Sequence, residues 1–396
     1  MSYSGNSGTP GRLSRRLLLA VALLVLGWLV YWLRSPRAAM PGASGAPPPC
    51  PLLSATLHGT GLSRGSRVLG IVFEGRLEPV KGVGRITGQG WIPHTATVVA
   101  ATESGVQLVA VPASGPPHVA LLPGTVAACR RSSDWGYEMD ALSISPGGRY
   151  AALANEGRLY IIDLKSPLAI PRQINTIPPG GSYPCAREPV WSPDGRQVLV
   201  QDTAGGELVL FEVATGTRRP LASTRGNPIA ASWSSDPTRL ASLWSKPPDF
   251  VPGGKVQRVH LPPAQVRLLD LERQETKTIA TAPQMSMYVA WRPGHEEVAY
   301  GDAMRLYRMR TDGTALGGVG SHTGRFNQFE PSWSADGEWL AYVLVRTRGR
   351  AIVLHRMSDG KEWPVDCGRY EPGNLSWQEP GGSPAPVRGG KSAGLP

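Results

Sequence analysis

Apolar residues along this chain fall in short runs, broken at close intervals by turn residues. QVLV (197–200), YAALA (150–154), RLASLW (239–244) and WLAYVLV (339–345) are each strand-length, and each follows a tight polar turn of the type PDG, PGG, SDP or ADG. Proline ends a ladder because it has no N–H, and glycine accepts the positive φ that a tight reversal demands. A second set of runs comes further on: GVQLVAV (105–111), RLYIIDL (158–164), ELVLFEV (207–213), VRLLDL (266–271), MRLYRMR (304–310) and AIVLHRM (351–357). Several close on a second tight turn, ATG (214–216), TDG (311–313) or SDG (358–360). The runs are apolar at consecutive positions rather than alternating, as strands covered on both faces are. Beyond the N-terminal region, Pro or Gly interrupts nearly every window of about fifteen residues, so long amphipathic helices are not expected.

The pattern has a period. Aligned on the residue that ends the first strand of each unit, the anchors are Trp91, Ile144, Trp191, Trp233, Trp291, Trp333 and Trp377, at spacings of 53, 47, 42, 58, 42 and 44. A period in the forties with four short strands per unit is the mark of a β-propeller, whose blades are covered on both faces by their neighbours. The large flat anchors are expected to pack between blades. Six blades are expected, closed by a first strand at Gly373–Trp377. The alternative is seven, with LLSATLHG, VLGIVFEG and GVGRITG (within 52–88) completing a blade around that C-terminal strand.

WSPDGRQVLV (191–200) followed by ELVLFEVATGTRRPL (207–221) resembles the repeat of TolB-type propellers, which are related to WD40-like arrays and to the propellers of the prolyl-oligopeptidase class. The resemblance covers roughly residues 90–380; the unit at Trp91 matches loosely. It implies a fold and says little about function. The TolB family carries an α/β domain ahead of its propeller, and residues 51–89 are too few to supply one, so TolB partners are not implied.

The N-terminus has another character. Leu17 to Leu33 is an uncharged, almost wholly apolar run between arginines. As a helix it would extend about 25 Å at ~1.5 Å per residue, a little short of a ~30 Å hydrocarbon core, a gap that flanking arginines close by snorkelling. Trp28, Tyr31 and Trp32 stand where an interfacial belt would lie. A cleaved signal needs small residues directly after a shorter apolar core, and here Trp, Tyr and Arg follow. The expected organisation is a short cytoplasmic tail (1–16), a transmembrane signal anchor (17–33), a Pro/Ala/Gly linker (34–50), an extracytoplasmic propeller (51–380) and a tail (381–396). That places the chain as single-pass in an inner or plasma membrane, with the propeller on the periplasmic side.

The net charge of +11 changes meaning once it is located. Arg12, Arg15, Arg16, Arg34 and Arg37 flank the apolar run and Arg388 and Lys391 lie in the tail, leaving +4 for everything between. So small a charge over more than 300 residues makes no phosphate-tracking surface, and nucleic acid is not an expected partner.

Up-and-down strand order places connections 1→2 and 3→4 at one rim and connections 2→3 and 4→1 at the other. The tight repeated turns belong to the first rim. The irregular segments 129–140, 180–188, 245–265, 320–330 and 366–374 belong to the second. They carry Arg130, Arg131, Trp135, Tyr137, Tyr183, Arg187, Phe250, Arg325, Phe326, Phe329, Arg369 and Tyr370, residue types that dominate binding hot spots. Variable loops on a rigid frame are where recognition sits. These twelve residues are the expected binding face for a protein or cell-envelope ligand.

Four cysteines, Cys50, Cys129, Cys185 and Cys367, show no CxxC and no zinc spacing. Their places in the repeat are consistent with Cys129–Cys185 and Cys50–Cys367 disulfides, one of three connectivities, or with free thiols. GLSRG (61–65) matches GxSxG without the strand–turn–helix frame a nucleophile elbow needs. No cofactor or metal is expected. The reading is a non-catalytic binding propeller; the alternative is an envelope enzyme, lyase- or hydrolase-like, acting on glycan at the same rim.

Overall fold

The computed structural model describes residues 53–59, 67–73, 76–102, 104–111, 117–122, 142–155, 158–166, 170–176, 189–202, 206–221, 224, 228–245, 263–282, 288–301, 305–320, 327–346, 349–368 and 370–378. The apolar run 17–33, its linker and the tail 381–396 lie outside them.

Among the described residues, strands form seven four-stranded antiparallel sheets and there is no α-helix. Strands β1 (Leu53–Gly59), β2 (Arg67–Phe73) and β3 (Arg76–Pro79) belong to the closing blade. Blade 1 is β4 (Ile86–Trp91), β5 (Thr97–Thr102), β6 (Gly105–Ala110) and β7 (His118–Leu121). Blade 2 is β8 (Leu142–Ile144), β9 (Tyr150–Asn155), β10 (Arg158–Asp163) and β11 (Arg172–Thr176). Blade 3 is β12 (Val190–Trp191), β13 (Gln197–Asp202), β14 (Glu207–Glu212) and β15 (Arg218–Leu221). Blade 4 is β16 (Pro228–Trp233), β17 (Arg239–Trp244), β18 (Ala264–Asp270) and β19 (Glu275–Ala282). Blade 5 is β20 (Tyr288–Trp291), β21 (Glu297–Gly301), β22 (Leu306–Arg310) and β23 (Ala315–Gly318). Blade 6 is β24 (Asn327–Trp333), β25 (Trp339–Arg346), β26 (Gly349–Arg356) and β27 (Glu362–Val365). In blade 7, β28 (Tyr370–Trp377) pairs with β1, giving the order β28-β1-β2-β3.

The blade number corrects the six-blade expectation: the alternative of seven is the one observed. Leu53, Leu57, Leu69 and Ile71 are buried, and this apolar surface can be covered only by building β1 and β2 into the ring. The fourth strand of that blade is Arg76–Pro79. GVGRITG instead leads out of blade 7 and begins β4.

The WSPDG motif has a local logic. In blade 3, Ser192 Oγ accepts the Gln197 N–H (2.9 Å) and donates to Asp194 Oδ1 (2.6 Å), whose carboxylate accepts the Arg196 N–H (3.1 Å). Gly195 closes the turn onto the Ser192 carbonyl (2.9 Å) at φ 69. Blade 6 repeats this with Ser334, Asp336 and Gly337, and blade 2 keeps the Ser145 and Gly148 parts. The loosely matching blade 1 puts the positive φ one residue earlier, at His94 (φ 59), as blade 5 does at Gly294.

Blades stack through apolar faces. Ala152, Ala154, Leu159 and Ile161 of blade 2 pack on Val198, Val200, Val209 and Phe211 of blade 3, and similar clusters join blades 1 and 2, 3 and 4, 4 and 5, and 7 and 1. Full burial of one such side chain contributes about 1.5–3 kcal/mol, so the blade interfaces are the main cohesive element of the ring.

The anchors add a directional bond to this packing. Trp191 Nε1 donates to the Ser143 carbonyl (3.1 Å), Trp233 to Val190 (3.3 Å), Trp333 to Ala290 (3.3 Å) and Trp377 to Ser332 (2.9 Å). Trp91 donates to Ser376 (3.1 Å). In each case the acceptor is the residue immediately before the preceding blade's anchor. The last of these bonds joins blade 1 to the C-terminal strand and so closes the circle. Two junctions differ. Ile144 has no side-chain N–H to offer and packs against Gly90, where an added Cβ would lie 3.1 Å from it. Trp291 turns its indole onto its own blade's His295 carbonyl (2.8 Å), in the turn where Arg292 stands in place of serine. There Ser232 Oγ accepts the Trp291 N–H (2.9 Å), and Arg239 makes a two-pronged bond to Glu296 (2.7 and 2.8 Å).

Candidate functional site

The first strands of the blades are innermost, and they enclose a central cavity of about 540 Å³. Its wall includes Gln89, Ser143, Tyr288, Glu330, Ser332 and Ser376 among polar residues, with Trp91, Ile144, Trp191 and Trp377. Glu330 is the one carboxylate among the described lining residues, which include no histidine, cysteine, lysine or arginine.

The inner strands are irregular in one consistent way. Register shifts fall between Ile86 and Gly88 in β4, Pro228 and Ala230 in β16, Phe329 and Ser332 in β24, and on β28 opposite Ser54 and Thr56 of β1. In all four the extra residue belongs to the innermost strand and lies two to four residues before the anchor. Bulges bend a strand and re-aim its side chains. The cavity is therefore shaped differently at its two ends: regular at the turns, bent at the rim where the irregular segments enter.

Glu330 sits in the β24 bulge with φ 54, a left-handed conformation that costs a residue with a side chain of this size about 1–2 kcal/mol. Its carboxylate lies against β28: a Cβ built on Gly373 would be 3.3 Å from Oε2. The half-buried residue thus spans blades 6 and 7 at the cavity wall. At the next junction, Gln89 accepts a hydrogen bond from Ser54 Oγ, which links blades 7 and 1.

Of the twelve residues expected to form the binding face, Phe329 and Tyr370 are placed. Both lie within inner strands: Phe329 pairs with Val343 just before the β24 bulge, and Tyr370 opens β28 opposite Gly59. Tyr370 is half-buried and its N–H donates to the Cys367 carbonyl (3.0 Å). Arg130, Arg131, Trp135, Tyr137, Tyr183, Arg187, Phe250, Arg325, Phe326 and Arg369 lie outside the described residues, as do Cys50, Cys129, Cys185 and the GLSRG segment. Cys367 is buried, with Sγ 3.5 Å from the Val365 carbonyl. Among the described residues no three His, Cys, Asp or Glu side chains come together as a metal site would require.

Glu330 is the residue the sequence reading passed over. A signal for it exists: a Glu followed by Pro stands three residues before the anchor in both Glu188-Pro189-Val190-Trp191 and Glu330-Pro331-Ser332-Trp333, among strands otherwise poor in acids.

Seven four-stranded blades with serine-capped first turns define a seven-bladed β-propeller, and the described residues include no α/β domain. Neither a family model nor a curated protein matches the sequence. Among solved structures, TolB from Acinetobacter baumannii is similar over 83% of this chain and 67% of its own, at 12% identity and a TM-score of 0.48. An oligogalacturonate lyase in complex with manganese is similar over 56% of this chain, at 18% identity and a TM-score of 0.45. The oligogalacturonate lyase of Vibrio parahaemolyticus matches the same share at 15% identity and a TM-score of 0.44. The chain spans 63% of the length of each lyase.

Proposed function

We propose that the chain is a membrane-anchored, extracytoplasmic propeller that binds a protein or cell-envelope component at its irregular rim and catalyses no reaction. The observation that carries this reading is the difference between the two rims. At one, serine-capped turns and anchor indoles recur from blade to blade. At the other, long connections of unrelated sequence meet inner strands bent by four bulges. A rigid frame presenting variable segments around a shaped opening is a recognition surface. The apolar run 17–33 supplies the anchor and the linker 34–50 the reach.

The test is affinity capture by the full-length chain from its own envelope extract, compared with a chain lacking residues 246–262. Loss of the captured component on deletion supports the reading. Identical capture by both chains counts against the irregular rim. Elemental analysis of the purified chain addresses the alternative enzyme: a stoichiometric bound metal would favour lyase-like chemistry over simple binding.

A further inference from the structure

The face that blade 4 turns toward blade 3 changes character along its length. Near the tight turns it is apolar: Trp233, Leu240 and Leu269 pack with Leu199, Leu208 and Leu210 of blade 3. One level further toward the irregular rim it carries Ser242 and Arg267, which are cross-strand partners and so share a face. The next level is Trp244 opposite Gln265.

No other blade has a charge at this level. The corresponding pairs are Ala55–Gly70, Ala100–Gln107, Leu153–Tyr160, Val200–Val209, Tyr300–Tyr307 and Tyr342–Val353. Arg267 is half-buried, and its guanidinium lies 3.8 Å from the centre of the Trp244 ring. Nε and Nη2 both donate to Gln265 Oε1 (3.0 and 2.8 Å), which fixes the plane of the fork and leaves the other N–H groups, including those on Nη1.

Among the described residues this arginine has no acid beside it, unlike four others. Arg218 faces Glu207, Arg239 faces Glu296, and Arg292 and Arg308 share Glu297. Arg267 makes no such pair, and burial alone pulls its pKa down. A cation held rigid and half out of water without a counter-charge is an unfinished ion pair. The second observation is independent: Ser242 is 1% exposed and its Oγ has no hydrogen-bond partner. Buried hydroxyls are ordinarily satisfied. Two polar groups side by side, each short of an acceptor, define what is missing.

We propose that Arg267, seated on Trp244 and flanked by Ser242, is an anion-binding site at the irregular rim between blades 3 and 4, and that it takes a carboxylate from an acidic segment of a protein partner. The protein source rests on the function proposed above. The carboxylate chemistry rests on the residues alone: a planar fork matches a carboxylate, and one indole face is already covered by the guanidinium rather than left open for a sugar ring.

The experiment uses the full-length chain in detergent and a fluorescein-labelled oligoglutamate peptide, with anisotropy as the readout. Wild-type protein is expected to bind, more weakly as salt rises. Arg267→Gln is expected to lose about tenfold or more in affinity. Arg267→Lys, which keeps the charge but not the fork, falls between. Arg218→Gln, at an arginine already paired, binds as wild type. An unchanged melting midpoint shows that the variants fold. Undiminished binding by folded Arg267→Gln, or no binding of oligoglutamate by wild type, overturns the site. Oligogalacturonate outcompeting oligoglutamate overturns the protein source. If wild type and Arg267→Gln capture the same envelope protein equally, the anion site fails while the binding function stands. If peptide binding depends on Arg267 but nothing is captured from the envelope, the site stands and the protein-binding reading falls.

Discussion

Replacing Trp377 by Phe tests whether the anchors close the ring by hydrogen bonding as well as by bulk. The substitution removes the indole N–H that donates to the Ser332 carbonyl at 2.9 Å, and it trims the ring that fills the junction of blades 6 and 7. A typical intramolecular hydrogen bond contributes about 0.5–1.5 kcal/mol net, and the trimmed ring adds roughly 1 kcal/mol more. A loss of ~2 kcal/mol is expected. With an unfolding entropy of ~2.1 cal/mol/K per residue over a ring of roughly 330 residues, that is a fall of about 3 °C in the melting midpoint. The control lies in the same molecule. Trp363 in β27 is equally buried, but its Nε1 has no partner. Trp363→Phe trims the same atoms, loses no hydrogen bond, keeps an aromatic ring beside Trp339 and Arg356, and relieves a desolvated donor, so its midpoint should change by no more than about 1 °C. Differential scanning calorimetry of the two variants reads the difference directly. Equal falls would refute the hydrogen-bonding role and reduce the anchors to packing alone.

Three further outcomes follow from the geometry. Gly294 and Gly337 occupy equivalent turns at φ 70 and 68; a Cβ at Gly294 meets nothing within 4 Å, whereas one at Gly337 lies 2.7 Å from the Pro293 carbonyl of the preceding blade. Gly294→Ala should therefore cost about 1 kcal/mol from backbone strain and Gly337→Ala clearly more, and equal costs in denaturant unfolding would show that adjacent turns do not touch. The Glu296 carboxyl titrates below its usual 4.5 because Arg239 hydrogen-bonds it across the junction of blades 4 and 5. Its contribution is thus present above that ordinary value and lost as pH falls through the depressed one. The advantage of wild type over Glu296→Gln, about 0.2–1 kcal/mol for so exposed a pair, should vanish in acid, and an advantage that grows in acid would contradict the pairing. Glu330→Gly removes a left-handed side chain, so it should leave the melting midpoint unchanged or raise it slightly while weakening capture of the envelope component; a fall of more than about 2 °C would show that the carboxylate holds the ring together.

The strands and turns were legible because each blade solves the same problem with the same residues. A Ser-Pro-Asp-Gly turn needs a hydroxyl to cap a backbone N–H, a carboxylate to cap the next, and a residue free to adopt positive φ. Those demands are local, so they show in the sequence. The seventh blade was harder to read for a physical reason: the repeat is recognised by the turn joining strands 1 and 2, and in blade 7 those strands lie at opposite ends of the chain, so no such turn exists. Its fourth strand, RLEP, has one buried residue in four and little apolar signal. The bonds of the anchors were also partly legible. Twelve Trp against five Phe is an excess that packing does not require, since Phe would fill much of the same space but could not donate to a carbonyl. Glu330 and Arg267 were not legible as site residues, because what marks them is a bulge in one case and a missing counter-ion in the other. The Glu-Pro pair ahead of two anchors points to Glu330, but the bulge and the missing counter-ion are themselves properties of register and neighbours, which no local pattern encodes.

The bonds between blades divide along the same line as the turns. Near the tight-turn rim they recur: indole to carbonyl at five junctions, with Arg239–Glu296 and Arg292 to the Gly337 carbonyl (2.8 Å) in the blade 5 region where the indole turns away. Gln378 adds a last tie across the closing junction, to the Thr95 carbonyl at 2.7 Å. Nearer the irregular rim each link is of its own kind. Gln201 reaches the Pro228 carbonyl, Gln328 accepts the Leu306 N–H at 2.8 Å, and Gln89 accepts from Ser54. Recurrent bonds hold the ring whatever the other rim carries. Because the ring is already held there, the opposite half tolerates bulges, a strained glutamate and an arginine without an acid. The bulges of the inner strands and the arginine without an acid cost stability, and their place away from the recurrent bonds is the physical ground for assigning the irregular rim to a partner.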